Sequence, residues 1–310
     1  MEKEKSSHRA GLVYIMQAYI LWGVLPLYWK LLKHVPAQEI LTHRIFWSLI
    51  FILLLLWARK NLKLKAIFTN IKLMKSLVAT SILIGINWGF YIYAVNSDQI
   101  LEASMGYYIN PLVSVLLGLI ILKEKLDTLK IVALLLAAAG VIYITLDYGE
   151  VPWLSLILAF SFGFYGLLKK MTPINSLQGL AVETMILSPI CLGFILFNLI
   201  GQTGSLFMVS WSTDIFLIMA GVATTLPLFW FAKGAKRIPL SSVGFLQYIS
   251  PSISMLIGIF IYHEKFGQTQ LVSFGFIWLA LIIYTYSLFK KNKKKVITEI
   301  EMVSSVKIET

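Results

Sequence analysis

The chain has 310 residues, of which 58% are hydrophobic and 14% charged, with a formal net charge of +12. A soluble domain has about a quarter of its residues charged, so composition argues against a soluble enzyme or binding module. The excess of Lys and Arg stands in short runs between apolar stretches, so the expected partner is a lipid bilayer and no nucleic acid. The single cysteine, Cys191, precludes an intrachain disulfide and fits no metal or redox spacing.

The first apolar stretch begins near Gly11, behind Lys3, Lys5 and Arg9. It has the basic start of a signal peptide, but the run is too long and no small-residue cleavage site follows. It is expected to stay as the first membrane helix. Nine more stretches of bilayer-spanning length follow, giving spans at about 11–31, 38–58, 76–96, 101–122, 128–147, 151–169, 178–200, 213–232, 240–262 and 269–289. With the N-terminus in the cytoplasm, 23 of the 27 Lys and Arg residues fall on the cytoplasmic side. Lys30, Lys33 and Lys265 fall outside, and Arg44 lies within a span. That asymmetry supports both the count and the orientation. An even number of spans returns the C-terminus to the cytoplasm. From Lys290 onward the sequence reads as a basic surface anchor followed by disorder.

Within this series one stretch occurs twice. Residues 108–125 read YINPLVSVLLGLIILKEK and residues 248–265 read YISPSISMLIGIFIYHEK, with nine identities in eighteen at an offset of 140. The same offset lays Trp22-Gly23 on Phe162-Gly163, Gln38 on Gln178 and Ser48 on Ser188. Each half then holds five spans, an odd number, so the second half enters the membrane from the opposite side. The expected fold is an all-α integral membrane protein of ten transmembrane helices in two inverted five-helix repeats. The repeats cover 11–147 and 151–289, flanked by a cytoplasmic N-terminus at 1–10 and a basic cytoplasmic tail at 290–310.

Several residues in the spans are candidates for chemistry. Pro111 and Pro251 stand at repeat-related positions in spans 4 and 9, where each removes a backbone donor and frees a carbonyl. They are expected as kinks lining a polar cavity beside Asn110, Gln247 and Tyr248. Gly85 and Gly89 form a GxxxG pair that reads as helix packing. Ionisable groups are costly in hydrocarbon, which singles out His43 and Arg44 in span 2 and Glu183 in span 7. Glu183 overlays His43 at the offset of 140. Arg44 and Glu183 are expected at different depths facing one cavity, Arg44 for an anionic group on a solute and Glu183 for proton coupling or an amine. One buried charge of each sign would suit a zwitterion. Glu39 and Glu102, nearer span ends, are expected to be wet. Asn87 and Tyr91 share a helix face four residues apart. With Trp88 between them they are candidate cavity residues.

The stretches EILTHRIFWS at 39–48, NWGFYIYAVN at 87–96, LEASMGYYINPL at 101–112, FSFGFYGLLKK at 160–170, ETMILSP at 183–189 and SSVGFLQYISP at 241–251 carry a resemblance. Together they resemble the RarD branch of the EamA-type drug/metabolite transporters, through both halves. The resemblance implies ten helices in two EamA repeats, a bacterial inner-membrane location, a solute-export permease and a link to chloramphenicol sensitivity. Its motifs include the positions of His43, Arg44, Asn87, Trp88, Glu102, Asn110, Pro111, Glu183, Gln247 and Tyr248. The halves differ where Asn110 precedes one proline and Ser250 the other.

The expected function is secondary-active transport of a small organic solute by alternating access. The coupling ion, proton or sodium, and the oligomeric state are left open. No P-loop is present, so ATP hydrolysis in this chain is not expected. A membrane-embedded enzyme would need convergent acid, base or metal-ligating groups. There are four histidines, and HEK at 263–265 lacks the second histidine of a zinc-protease helix. No catalytic residue, cofactor or metal is therefore expected. A passive channel, with uncoupled and poorly saturable flux, is the remaining alternative.

Overall fold

The computed structural model describes residues 2–60, 64–97, 99–263 and 267–308. Glu264 and Lys265, the end of the second repeated stretch, lie outside the described residues, as does Lys63. The described backbone forms twelve helices and no strand. They are α1 (Glu2–Leu31), α2 (Ala37–Ala58), α3 (Lys65–Phe68), α4 (Ile71–Asn96), α5 (Ile100–Ile120) and α6 (Thr128–Tyr148). The second half supplies α7 (Trp153–Met171), α8 (Ser176–Ile200), α9 (Trp211–Ala235), α10 (Leu240–Gln247), α11 (Ile249–Tyr262) and α12 (Gln268–Ile308). In lipid the backbone must satisfy its own hydrogen bonds, which a helix does internally. Among the described residues, ten segments are helical, long and apolar enough to cross a membrane, with α10 and α11 together making one of them.

Polar side chains set several helix starts. Asn70, Asp127, Asn175 and Ser210 each accept a hydrogen bond from a backbone N–H in the first turn of α4, α6, α8 and α9. The C-terminal stretch differs from expectation. The helix of α12 continues to Ile308 where disorder was expected. Residues 291–308 contain no Gly or Pro, so nothing in the chain interrupts helix propagation there.

The chain divides into two units. One comprises residues 1–123 and 151–265, the other 124–150 and 266–310. In the second, α6 and α12 pack closely, and a methyl group added at Gly140 would lie 2.8 Å from the Ser273 carbonyl oxygen. The Ser287 hydroxyl donates to the Asp127 carboxylate at 2.9 and 3.0 Å.

The first unit shows the repeat in its packing. A Cβ at Gly23 would sit 2.7 Å from Ile253, and one at Gly163 would sit 2.7 Å from Val113. Both glycine and partner are related by the offset of 140, so α1 meets α11 in the register in which α7 meets α5. Repeat partners also touch each other. The rings of Trp22 and Phe162 are 5.8 Å apart, and the Tyr248 hydroxyl donates to the Tyr108 carbonyl at 3.1 Å.

The two prolines behave differently. The ninth span breaks at Tyr248, one turn before Pro251, where the proline cannot donate back to Gln247. Pro111 sits inside an uninterrupted α5. There the helix is gripped from both sides, by Gly163 at Val113 and by Gly244 against the Pro111 carbonyl. The GxxxG reading fails at Gly89, where an added Cβ meets nothing within 4 Å, although Gly85 abuts Leu187.

Candidate functional site

The site begins with a close crossing of α2 and α9. A Cβ at Gly221 would lie 2.4 Å from the Trp47 carbonyl carbon, so only a glycine lets these backbones meet. The Ser48 hydroxyl pins the crossing by donating to the Gly221 carbonyl at 3.0 Å. One turn along each helix stand Arg44 and Thr224. The Arg44 Nε donates to the Thr224 hydroxyl at 2.9 Å. The guanidinium lies over Trp29 of α1 and Trp88 of α4, 4.8 and 5.5 Å from the ring centroids. The phenols of Tyr91 and Tyr107 lie close enough to interact with its charge. Their rings are 6.3 Å apart. Tyr107 is 50% exposed, so this side of the cluster is not covered by protein.

Among the described residues, no carboxylate comes within salt-bridge distance of Arg44. An arginine at the centre of a membrane helix costs about 2.5–3.5 kcal/mol on insertion scales. Each cation–π contact returns about 0.5–2 kcal/mol. The two Trp rings thus offset most of the cost without neutralising the charge. Arg44 is a tolerated cation with donors to spare.

Glu183 is arranged in the opposite way. It is 2% exposed, and Lys169 of α7 donates to both of its oxygens at 2.9 and 3.1 Å. Thr80 of α4 donates to Oε1 at 2.6 Å and Tyr165 of α7 to Oε2 at 3.3 Å. This corrects the expectation that Glu183 faces a common cavity with Arg44 and offers a negative charge to a zwitterion. Lys169 neutralises it, because α7 extends to Met171 and carries Lys169 on the same face as Tyr165. Arg44 and Glu183 each stand seven residues past the first residue of their helix, about 10 Å along it.

Glu39 and Glu102 are buried rather than wet, because each caps a neighbouring segment. Glu39 accepts from the Ser205 backbone N–H at 2.5 Å and its hydroxyl at 2.9 Å. Glu102 accepts from the Leu154 N–H in the first turn of α7 at 2.8 Å.

The sequence-derived candidates therefore separate. Arg44, Trp88 and Tyr91 come together. Asn87 ties α4 to α7, donating to the Leu158 carbonyl at 2.8 Å and the Ser161 hydroxyl at 3.0 Å. His43 is 1% exposed; its Nδ1 accepts from the Trp47 indole N–H at 3.1 Å, and its Nε2 lies 3.9 Å from Glu39. Asn110, Gln247 and Tyr248 are buried. Asn110 accepts from Ser114 at 3.4 Å and Gln247 from Tyr19 at 3.5 Å. Sequence reasoning missed Trp29, Tyr107, Thr224, Lys169 and Thr80. The i, i+4 pairing of Tyr165 with Lys169 was a usable signal for one of them. Two surface hollows, of about 380 Å³ along Phe68–Ile82 and about 350 Å³ between Asn175 and Lys236, contain none of the Arg44 cluster. Among the described residues, no group of three His, Cys, Asp or Glu side chains could hold a metal.

Residues 9–146 and 151–286 each match the EamA-like transporter family. The chain belongs to that family. Among its EamA relatives, an uncharacterized transporter, YojE, of Bacillus subtilis is 49% identical, over 91% of this chain and 95% of the relative. The protein RarD of Escherichia coli is 40% identical over 89% of this chain and 94% of its own length. RarD of Salmonella typhimurium is 39% identical over 93% and 98%. A solved crystal structure at 18% identity shares the fold, with a TM-score of 0.70 over 90% of this chain and 98% of that one. The chain is thus a RarD-like, multi-pass membrane transporter built from two EamA repeats.

Proposed function

We propose that this transporter is a secondary-active permease of the bacterial inner membrane, with both termini cytoplasmic, that exports a small organic solute by alternating access. Metabolites, amino-acid-like compounds and drugs are the candidate solutes. The observation that supports this most is the contrast between two repeat-related regions. Around Arg44 a cation with no carboxylate partner among the described residues stands with the half-exposed Tyr107, whereas around Glu183 a carboxylate is sealed by Lys169, Thr80 and Tyr165. In an inverted repeat, an open half and a closed half are the two ends of one cycle. The Glu183–Lys169 pair acts as the closure on the cytoplasmic side. Protonating Glu183 removes the charge that holds Lys169, which couples opening to a proton; sodium is the alternative ion.

A membrane enzyme or a passive channel would not exchange solute saturably across a sealed bilayer. The test is counterflow in proteoliposomes over metabolite pools, followed by gradient-driven uptake of any hit. Saturable counterflow supports the permease, and linear, unsaturable flux overturns it. Glu183→Gln should keep counterflow and lose accumulation driven by a pH gradient. Unchanged accumulation removes Glu183 from coupling.

A further inference from the structure

We propose that the transported solute is an aromatic carboxylate, bound through its anionic group by Arg44, and that no amine on it is recognised. This rests on the permease reading and narrows it.

The argument is one of charge accounting at the buried groups. Arg44 spends its Nε on Thr224. Its two terminal amino groups have no carboxylate partner among the described residues. A guanidinium fork with free donors matches the two oxygens of a carboxylate in geometry as well as charge. An ammonium group would need a free acid, and the buried acids are engaged. Glu183 holds Lys169, Glu39 holds Ser205, Glu102 holds the start of α7, and Asp214 accepts from the Phe207 N–H at 2.7 Å.

The aromatic walls beside Arg44 fix the rest of the solute. Trp29 and Trp88 already face the guanidinium, and Tyr91 and Tyr107 stand beside it. A flat ring can stack on such walls at little cost in ordering, since its shape is rigid. The half-exposed Tyr107 marks the way in.

The experiment is calorimetric titration of the full-length protein in lipid nanodiscs with a matched series: 3-phenylpropionate, 3-phenylpropionamide, phenethylamine, phenylalanine and hexanoate. The expected order has 3-phenylpropionate binding at least about tenfold more tightly than the amide or the amine, the scale of one charge-assisted pair. Phenylalanine should gain nothing over 3-phenylpropionate, and hexanoate should bind more weakly. Arg44→Gln should erase the acid preference, with Arg44→Lys retaining part of it. Circular dichroism identifies variants that fail to fold, and Arg44→Lys then serves as the working comparison.

Amide or amine binding as tight as the acid, an acid preference that survives in folded Arg44→Gln, or no acid binding by folded wild type would each overturn the proposal. Counterflow run in parallel separates this from the permease reading. Saturable exchange confined to neutral or amine solutes overturns the substrate class and keeps the permease. Absence of saturable exchange for every solute overturns the permease itself.

Discussion

Replacing Lys169 by Met should unmask the cost of the buried carboxylate beneath it. In the wild type, Lys169 and Glu183 have side chains 4% and 3% exposed, and their charged atoms approach to 2.9 Å. Removing one member of such a pair typically costs about 3–5 kcal/mol, because the other charge stays buried without its partner. Thr80 and Tyr165 would still donate to Glu183, which places Lys169→Met at the lower end of that range. Glu183→Gln should also destabilise, by stranding the ammonium of Lys169. The double variant Lys169→Met/Glu183→Gln has no buried charge, and Gln can still accept from Thr80. It should lose less than the sum of the two single variants by about 2–3 kcal/mol, within the range of coupled contacts. The assay is heat unfolding in detergent, where the lysine variant should melt on the order of 10 °C below wild type. Additive losses, within about 0.5 kcal/mol, would show that the pair is not coupled and would refute the reasoning.

Three further outcomes are expected. Gly221→Ala should lower expression and heat stability sharply, because its methyl group would land 2.4 Å from the backbone of α2, whereas Gly89→Ala should be neutral; equal behaviour of the two would remove the α2–α9 crossing as the support for Arg44. Glu39→Gln should destabilise by about 1–3 kcal/mol, since a buried carboxylate that accepts two bonds from Ser205 becomes a poorer acceptor, and heat unfolding reads this directly. Lys236, in the turn between α9 and α10, has its pKa lowered from 10.5 to about 8, first by burial and then by the nearby charge of Lys169. Between those two values the unfolded chain binds the extra proton, so stability should rise with pH from about 8 toward 10.5. Lys236→Met should flatten that rise in the unfolding midpoint, and an unchanged slope would assign it to another group.

The framework of the molecule was legible because it rests on patterns that survive translation along the chain. The doubled YI-P stretch shows the repeat, and the apolar stretches of bilayer-spanning length show the span count. The pairing Gly23–Ile253 and Gly163–Val113 is that repeat expressed as contacts. The site was only partly legible. Arg44 and Glu183 were visible as charges in apolar runs, but their partners come from other helices and obey no spacing. With the expected span ending at residue 169, Lys169 reads as one more cytoplasmic charge, whereas α7 runs on to Met171. Trp29, Tyr107 and Thr224 carry no spacing or charge that separates them from the other aromatic and polar residues of the spans. Glu39 and Glu102 looked wet because helix ends usually are. A cap is a tertiary contact, and nothing in the sequence announces that Ser205 or Leu154 needs one. The two prolines show the same limit: the removal of a donor is local, but whether the helix breaks depends on the neighbours that grip it.

The most direct test is chemical accessibility on the two sides of the first unit. Cys191 is buried, so introduced cysteines can be read against a quiet background once it is changed to Ser. One probe is Tyr107→Cys, beside Arg44. The other is Ile84→Cys, now 2% exposed and one helical turn beyond Thr80. With Glu183 intact, a hydrophilic maleimide should label position 107 and spare position 84. Adding Glu183→Gln should raise labelling at 84 and lower it at 107, as one side opens and the other shuts. Labelling that rises at both positions together, or stays unchanged at both, would contradict a closure at Glu183 that trades places with an opening at Arg44.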